Sequence, residues 1–137
     1  MSNEVPAQVK DRLATETIIW LTTAKADGMP LPNPVWFLWH GGEFLVLTIP
    51  GSVKLKNMSR NPLVSLNLNS TAVDGCDVAV FHVQANMNSA PITSAELDSY
   101  EKKYAKEMVV LGFTREMLET GYQPVRMKVI KYRTVVY

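Results

Sequence analysis

Ser52-Val53-Lys54-Leu55-Lys56-Asn57-Met58-Ser59-Arg60-Asn61-Pro62 is a hydroxyl residue, a short basic helix and an Asn-Pro stop, set directly behind a β-rich run. The first backbone N–H groups of a helix have no internal partner, and the helix dipole puts partial positive charge there. Ser52 adds a hydroxyl and Lys54 a full charge, so the segment suits a phosphate. The same residues also read as a solvated surface helix with an ordinary serine cap.

Upstream, Ile18-Ile19-Trp20-Leu21-Thr22-Thr23-Ala24 is rich in strand formers, and Ala26-Asp27-Gly28 supplies a turn before the extended segment Pro30 to Trp39. Gly41-Gly42 makes a second turn, and Glu43 to Ile49 returns as a third strand ending at Pro50-Gly51. The basic helix therefore closes a meander. Val5, Val9 and Leu13, four apart, predict a short amphipathic helix from Val5 to Ala14 that covers one end of the sheet.

Downstream, Val64, Leu66 and Leu68 alternate with Ser65, Asn67 and Asn69, the pattern of a half-buried strand. After a turn over Ser70 to Asp77, Val78 to Ala85 alternates again, with Val78, Val80 and His82 on one face and Ala79, Phe81 and Val83 on the other. Thr93 and Glu96 form a capping box, and Leu97, Tyr100, Tyr104, Met108 and Leu111 predict one helix running to Gly112. A shorter helix is expected from Thr114 to Gly121, then a long final strand from Pro124 to Tyr137. Strands dominate, so the fold class is mainly β with helices as inserts, in one domain spanning residues 1–137.

Composition narrows the chemistry. With 47% hydrophobic and 20% charged residues the chain can build a core, and its net charge of +1 gives no global field for nucleic acid. No run approaches the ~20 residues needed to cross a bilayer. A lone cysteine, Cys76, excludes an internal disulfide and, with no leader pattern evident, fits a cytoplasmic protein. There is no glycine-rich dinucleotide turn, no phosphate-binding P-loop and no Cys-x-x-Cys, and two histidines, His40 and His82, do not build a metal site. Cofactor-borne chemistry, which needs no protein nucleophile, remains open.

Trp20-Leu21-Thr22-Thr23, Asp27-Gly28, Pro32-Asn33-Pro34-Val35-Trp36-Phe37 and Ser52-x-Lys54-x-x-Asn57-Met58-x-Arg60-Asn61-Pro62 together resemble the FMN-binding split barrels similar to pyridoxamine 5'-phosphate oxidase, especially their deazaflavin-dependent reductase branch. The resemblance extends more weakly through Pro124-Val125-Arg126. It implies a split barrel of about six strands with peripheral helices, and a homodimer holding its cofactor between subunits. Lys54 matches the phosphate-contacting lysine, and Ser52 a nearby position where relatives often carry arginine; Lys56 and Asn57 share the segment. Losing an arginine fork there shifts phosphate binding toward backbone donors.

Asn33, Pro34, Val35 and Trp36 resemble the strand beside the cofactor ring, with Thr48 and Ile49 alongside. The unbroken apolar run from Val35 to Trp39 also reads as a strand buried on both faces. The implied activity is hydride transfer between coenzyme F-420 and a small conjugated molecule. FMN is the rival cofactor, and a non-catalytic carrier or a heme- or tetrapyrrole-binding barrel is the alternative of another class. Pyridoxamine 5'-phosphate oxidation itself is disfavoured, because the longer basic C-terminal extension is lacking. Arg126, Lys128, Lys131 and Arg133 give the last strand a basic edge that suits an anionic tail, a partner subunit or plain solvent. No catalytic acid is assigned.

Overall fold

In a computed structural model that describes residues 4–134, one antiparallel sheet carries the chain. Its strands are β1 (Ile19–Ala24), β2 (Pro30–Val35), β3 (Leu38–His40), β4 (Glu43–Thr48), β5 (Leu63–Asn67), β6 (Val80–Asn86) and β7 (Gln123–Arg133). The helices are α1 (Ala7–Thr15), α2 (Val53–Arg60), α3 (Ser94–Lys103), α4 (Ala105–Leu111) and α5 (Arg115–Thr120). The sheet order is β2-β1-β5-β6-β7-β4-β3.

The two edge strands of this sheet are neighbours in sequence. β2 ends at Val35 and β3 begins at Leu38, and an extended chain advances at most ~3.3–3.6 Å per residue. The edges must therefore meet at Trp36-Phe37, which curls the sheet into a split barrel. The expected single strand from Pro30 to Trp39 is thus two strands that pair with opposite ends of the sheet, and the strand count is seven where about six were implied. Tertiary bonds hold the corner. The Tyr104 hydroxyl accepts from Phe37 N–H at 2.9 Å and lies 2.7 Å from the Thr17 carbonyl, while Lys103 Nζ donates to the Phe37 and Leu13 carbonyls and sits 3.5 Å from the Phe37 ring centroid.

Two apolar clusters flank the sheet. Ile19, Leu21, Phe37, Phe44, Leu66 and Phe81 fill the barrel, and Leu38, Leu45, Leu97, Tyr100 and Tyr104 join α3–α5 to its outside. The run from Val35 to Trp39 alternates between them: Val35, Phe37 and Trp39 pack on the first, Trp36 and Leu38 on the second. Burial on both faces is therefore observed although the strand breaks. α1 buries Leu13 against the barrel, beside Val5 and Val9. Gly41 and Gly42, at φ of 61° and 80°, make the tight β3–β4 hairpin turn that a side chain at either position would strain.

The predicted helix from Thr93 to Gly112 opens on its capping box, Thr93 Oγ1 accepting from Glu96 N–H and Glu96 returning the bond. It breaks at Tyr104, whose backbone leaves helical geometry where its hydroxyl is drawn to the barrel corner. The final strand runs from Gln123 to Arg133, with an extra residue at Ile130 where the register shifts opposite His82 and Val83; residues 135–137 of the expected strand lie outside the described residues. No helix among the described residues is long and apolar enough to cross a membrane.

β2 has a one-sided backbone. Pro30, Pro32 and Pro34 alternate with Leu31, Asn33 and Val35, and proline has no N–H. Ladder bonds to β1 must run through the non-proline positions, so the prolines turn their carbonyls to the open edge. That edge accepts hydrogen bonds and donates none.

Candidate functional site

Ile49, Pro50 and Gly51 carry the chain off β4 into α2. Ser52 caps the helix, its Oγ accepting from Leu55 N–H at 3.4 Å, and its carbonyl accepts from Lys56 N–H. Among the described residues, the Val53 and Lys54 N–H groups have no intramolecular acceptor. The first turn contains no acidic residue to offset the dipole and carries Lys54 instead, an arrangement unfavourable to the isolated helix. Lys54 forms no ion pair among the described residues, and burial lowers its pKa. An uncompensated, half-buried cation at a helix N-terminus is matched chemically by an anionic ligand.

Lys54 faces a cavity of about 230 Å³ together with Pro34, Val35, Trp36 and Ile49. Five of the ten sequence-nominated residues therefore meet at one place. The base is fixed: Trp36 stacks on Tyr104 with centroids 4.3 Å apart and planes 10° from parallel, and Tyr104 stacks on Tyr100, whose hydroxyl donates to the Leu45 carbonyl. Burial pushes the pKa of both the Tyr100 and the Tyr104 hydroxyl well above the ordinary tyrosine value. No carboxylate, histidine or cysteine lines the cavity, so it can bind and orient but holds no strong acid or base of its own.

The remaining nominated residues lie elsewhere. Ser52 is at the α2 cap beside the cavity, and Asn33 sits one residue before Pro34 on β2. Thr48 is buried, its Oγ1 donating to the Gln123 carbonyl at 2.9 Å to tie β4 to β7. Lys56 is exposed on the outer side of α2. Asn57 points inward, its Nδ2 donating to Thr23 Oγ1 at 3.0 Å and its Oδ1 accepting from Arg60. On the basic edge of β7, Arg126 binds both oxygens of Glu96 at 2.5 and 2.8 Å, so that cation is spent inside the fold.

The far wall was not anticipated. Leu111, Phe113, Leu118 and Tyr122, from α4, α5 and their connections, complete the cavity. By sequence spacing Leu111 belongs to the amphipathic stripe that starts at Leu97. A surplus signalled otherwise: Val109, Val110 and Leu111, followed by Phe113, are more apolar residues than one face of a short helix can bury, and the first three are exposed.

A family model described as pyridoxamine 5'-phosphate oxidase matches residues 5–135. No match is found among curated proteins. Among solved structures, a conserved hypothetical protein from Mycobacterium tuberculosis superposes with a TM-score of 0.71 at 21% identity, covering 96% of this chain and 84% of its own. An F420 reductase gives 0.68 at 16% identity, with 94% and 98% covered. HutZ, the heme storage protein from Vibrio cholerae, gives 0.67 at 16% identity, with 93% and 92% covered. At these identities the likeness shows a shared fold.

Proposed function

We propose that this chain, which belongs to the pyridoxamine 5'-phosphate oxidase family, is an oxidoreductase that uses a phosphorylated deazaflavin, coenzyme F-420, to reduce a small conjugated molecule, with FMN as the rival cofactor. The observation that carries the reading is Lys54: a half-buried cation without a counter-ion, at the free N–H groups of α2, facing an aromatic cavity. The residues fit the cofactor class. Lys54 and the α2 N-terminus hold an anionic group, and the acceptor-only edge of β2 suits a ring whose edge carries an N–H. Trp36 and the apolar walls keep water from the reacting face.

When bound, such a cofactor supplies the hydride chemistry that the cavity's side chains lack. Lys54 would hold the phosphorylated end of the bound cofactor, and Pro34, Val35 and Trp36 would border its ring. One chain offers only part of the enclosure: the cavity is about 230 Å³, cofactor sites commonly enclose ~300–1,000 Å³, and Ile49 at the rim is 63% exposed. A second copy of the chain completes the site, making the working form a homodimer.

Parallel titration of cofactor-free protein with FMN and coenzyme F-420 at fixed ionic strength, read by tryptophan quenching, tests this. Preferential deazaflavin binding is expected. Preferential FMN binding moves the protein to the flavin branch. A spectral response to heme, with none to either flavin, overturns the oxidoreductase reading; neither His40 nor His82 lines the cavity, which weighs against that outcome.

A further inference from the structure

We propose that the hydrogen bond between Asn57 on α2 and Thr23 on β1 is the positioning link of the cofactor site, setting where Lys54 and the α2 N-terminus stand relative to Pro34, Val35 and Trp36. The inference rests on the cofactor reading above and makes Asn57 a positioning residue instead of a ligand. Two separate stretches of sequence carry the family resemblance, Trp20 to Thr23 and Ser52 to Pro62, and this bond joins them.

Both partners are buried, at 1% exposure each. Thr23 takes the third inward position of β1, after Ile19 and Leu21, where an apolar residue would continue the pattern. Asn57 lies between Leu55 and Met58, which pack into the barrel core. Two polar groups buried among such neighbours cost free energy unless they satisfy each other. The direction of the bond is also fixed. Arg60 can only donate, and its Nη2 lies 2.8 Å from Asn57 Oδ1, so the amide turns Nδ2 toward Thr23 Oγ1, 3.0 Å away.

Position follows from direction. The apolar contacts of Leu55 and Met58 tolerate rolling and sliding of a short helix, whereas a hydrogen bond holds one distance and a narrow range of angles. Lys54 precedes Asn57 by three residues, ~4.5 Å along the axis, so a shift at Asn57 reaches Lys54 within one helical turn. On the other side, β1 pairs with β2 from Ile19↔Val35 to Ala24↔Pro30, with Thr23 opposite Leu31. The bond therefore sets the span from Lys54 to the strand that ends at Val35. A slip of one residue moves the helix ~1.5 Å, and errors of ~1 Å already cost an oriented site up to ~100-fold.

The test titrates FMN, coenzyme F-420 and riboflavin, which lacks the phosphate, into the whole protein by tryptophan quenching, and follows the Lys54 ammonium by NMR without ligand. Asn57→Leu and Thr23→Val are each expected to weaken FMN or F-420 at least about tenfold, with riboflavin within about twofold. Thr23→Ser keeps the hydroxyl and binds as wild type. Burial lowers the Lys54 pKa in the native site, and Asn57→Leu returns it toward the ordinary 10.5. The double variant Asn57→Leu/Thr23→Val removes both buried polar groups, so it regains thermal stability while the phosphorylated cofactors stay weak. If Asn57→Leu fails to fold, the double variant carries the same comparison. Recovery of cofactor affinity along with stability overturns the proposal, as does wild-type affinity or a wild-type Lys54 titration in folded Asn57→Leu. Wild type that binds FMN no better than riboflavin, and F-420 not at all, overturns the parent reading alone, because the Lys54 titration still reports whether Asn57 sets the helix.

Discussion

Lys54 shows how a residue that breaks a local rule marks a site. A cation in the first turn opposes the helix dipole, and here neither an acidic residue in that turn nor a salt bridge among the described residues repairs the conflict. Lys54→Ala is expected to weaken binding of the phosphorylated cofactor by roughly 1.5–3 kcal/mol, the usual worth of a charge-assisted contact, with an unchanged circular dichroism spectrum. Unaltered affinity in the same titration would remove its role. Glu96 is the opposite case, a carboxylate fully satisfied by the fold. Hydrogen bonds from Arg126, joined by the Thr93 N–H, pull its pKa from the ordinary 4.5 to about 2. Because the folded value lies below the unfolded one, Glu96 contributes stability above pH 4.5 that is lost as pH falls toward 2. Glu96→Gln should therefore lower the urea midpoint at pH 7 and flatten its decline between those limits. Arg126→Ala leaves the buried Glu96 carboxylate unpaired and should cost about 3 kcal/mol, measurable in the same unfolding series.

At the scale of elements, the informative failures are the two breaks. Both were invisible to periodicity, because apolar residues continue through them: Val35 to Trp39 keeps its alternation across the corner, and Leu97 to Leu111 keeps its three- and four-residue spacing across Tyr104. What breaks the elements is a bond between residues 67 apart in sequence, from Phe37 N–H to the Tyr104 hydroxyl. Tyr104→Phe strands that buried N–H and should destabilise the protein by about 1–3 kcal/mol in urea unfolding. A change within about 0.5 kcal/mol, the range of an ordinary surface substitution, would mean that the corner is held by packing and Lys103 instead. By contrast, α2 and the start of α3 were legible to the residue, since Ser52 and Thr93 cap them through bonds only three residues long.

For the whole molecule, a barrel whose edges meet at one corner leaves a small, open cavity on its rim, and a second copy is the proposed lid. Sedimentation velocity over a wide concentration range should find a dimer that persists to dilute solution; a monomer of undiminished thermal stability there would remove the intersubunit site. The sequence by itself determined the mainly β class, the order of strands and helices apart from the two breaks, the family resemblance and the basic helix that faces the cavity. Those features are written in short-range patterns, alternation, caps and turn residues, which act through neighbours along the chain. Only the tertiary structure decided that β2 and β3 belong to opposite edges, that Asn57 and Arg126 are spent inside the fold, and that α4 and α5 wall the cavity beside Trp36. Each depends on contacts between distant segments, and local patterning carries no record of which distant partner a residue will meet.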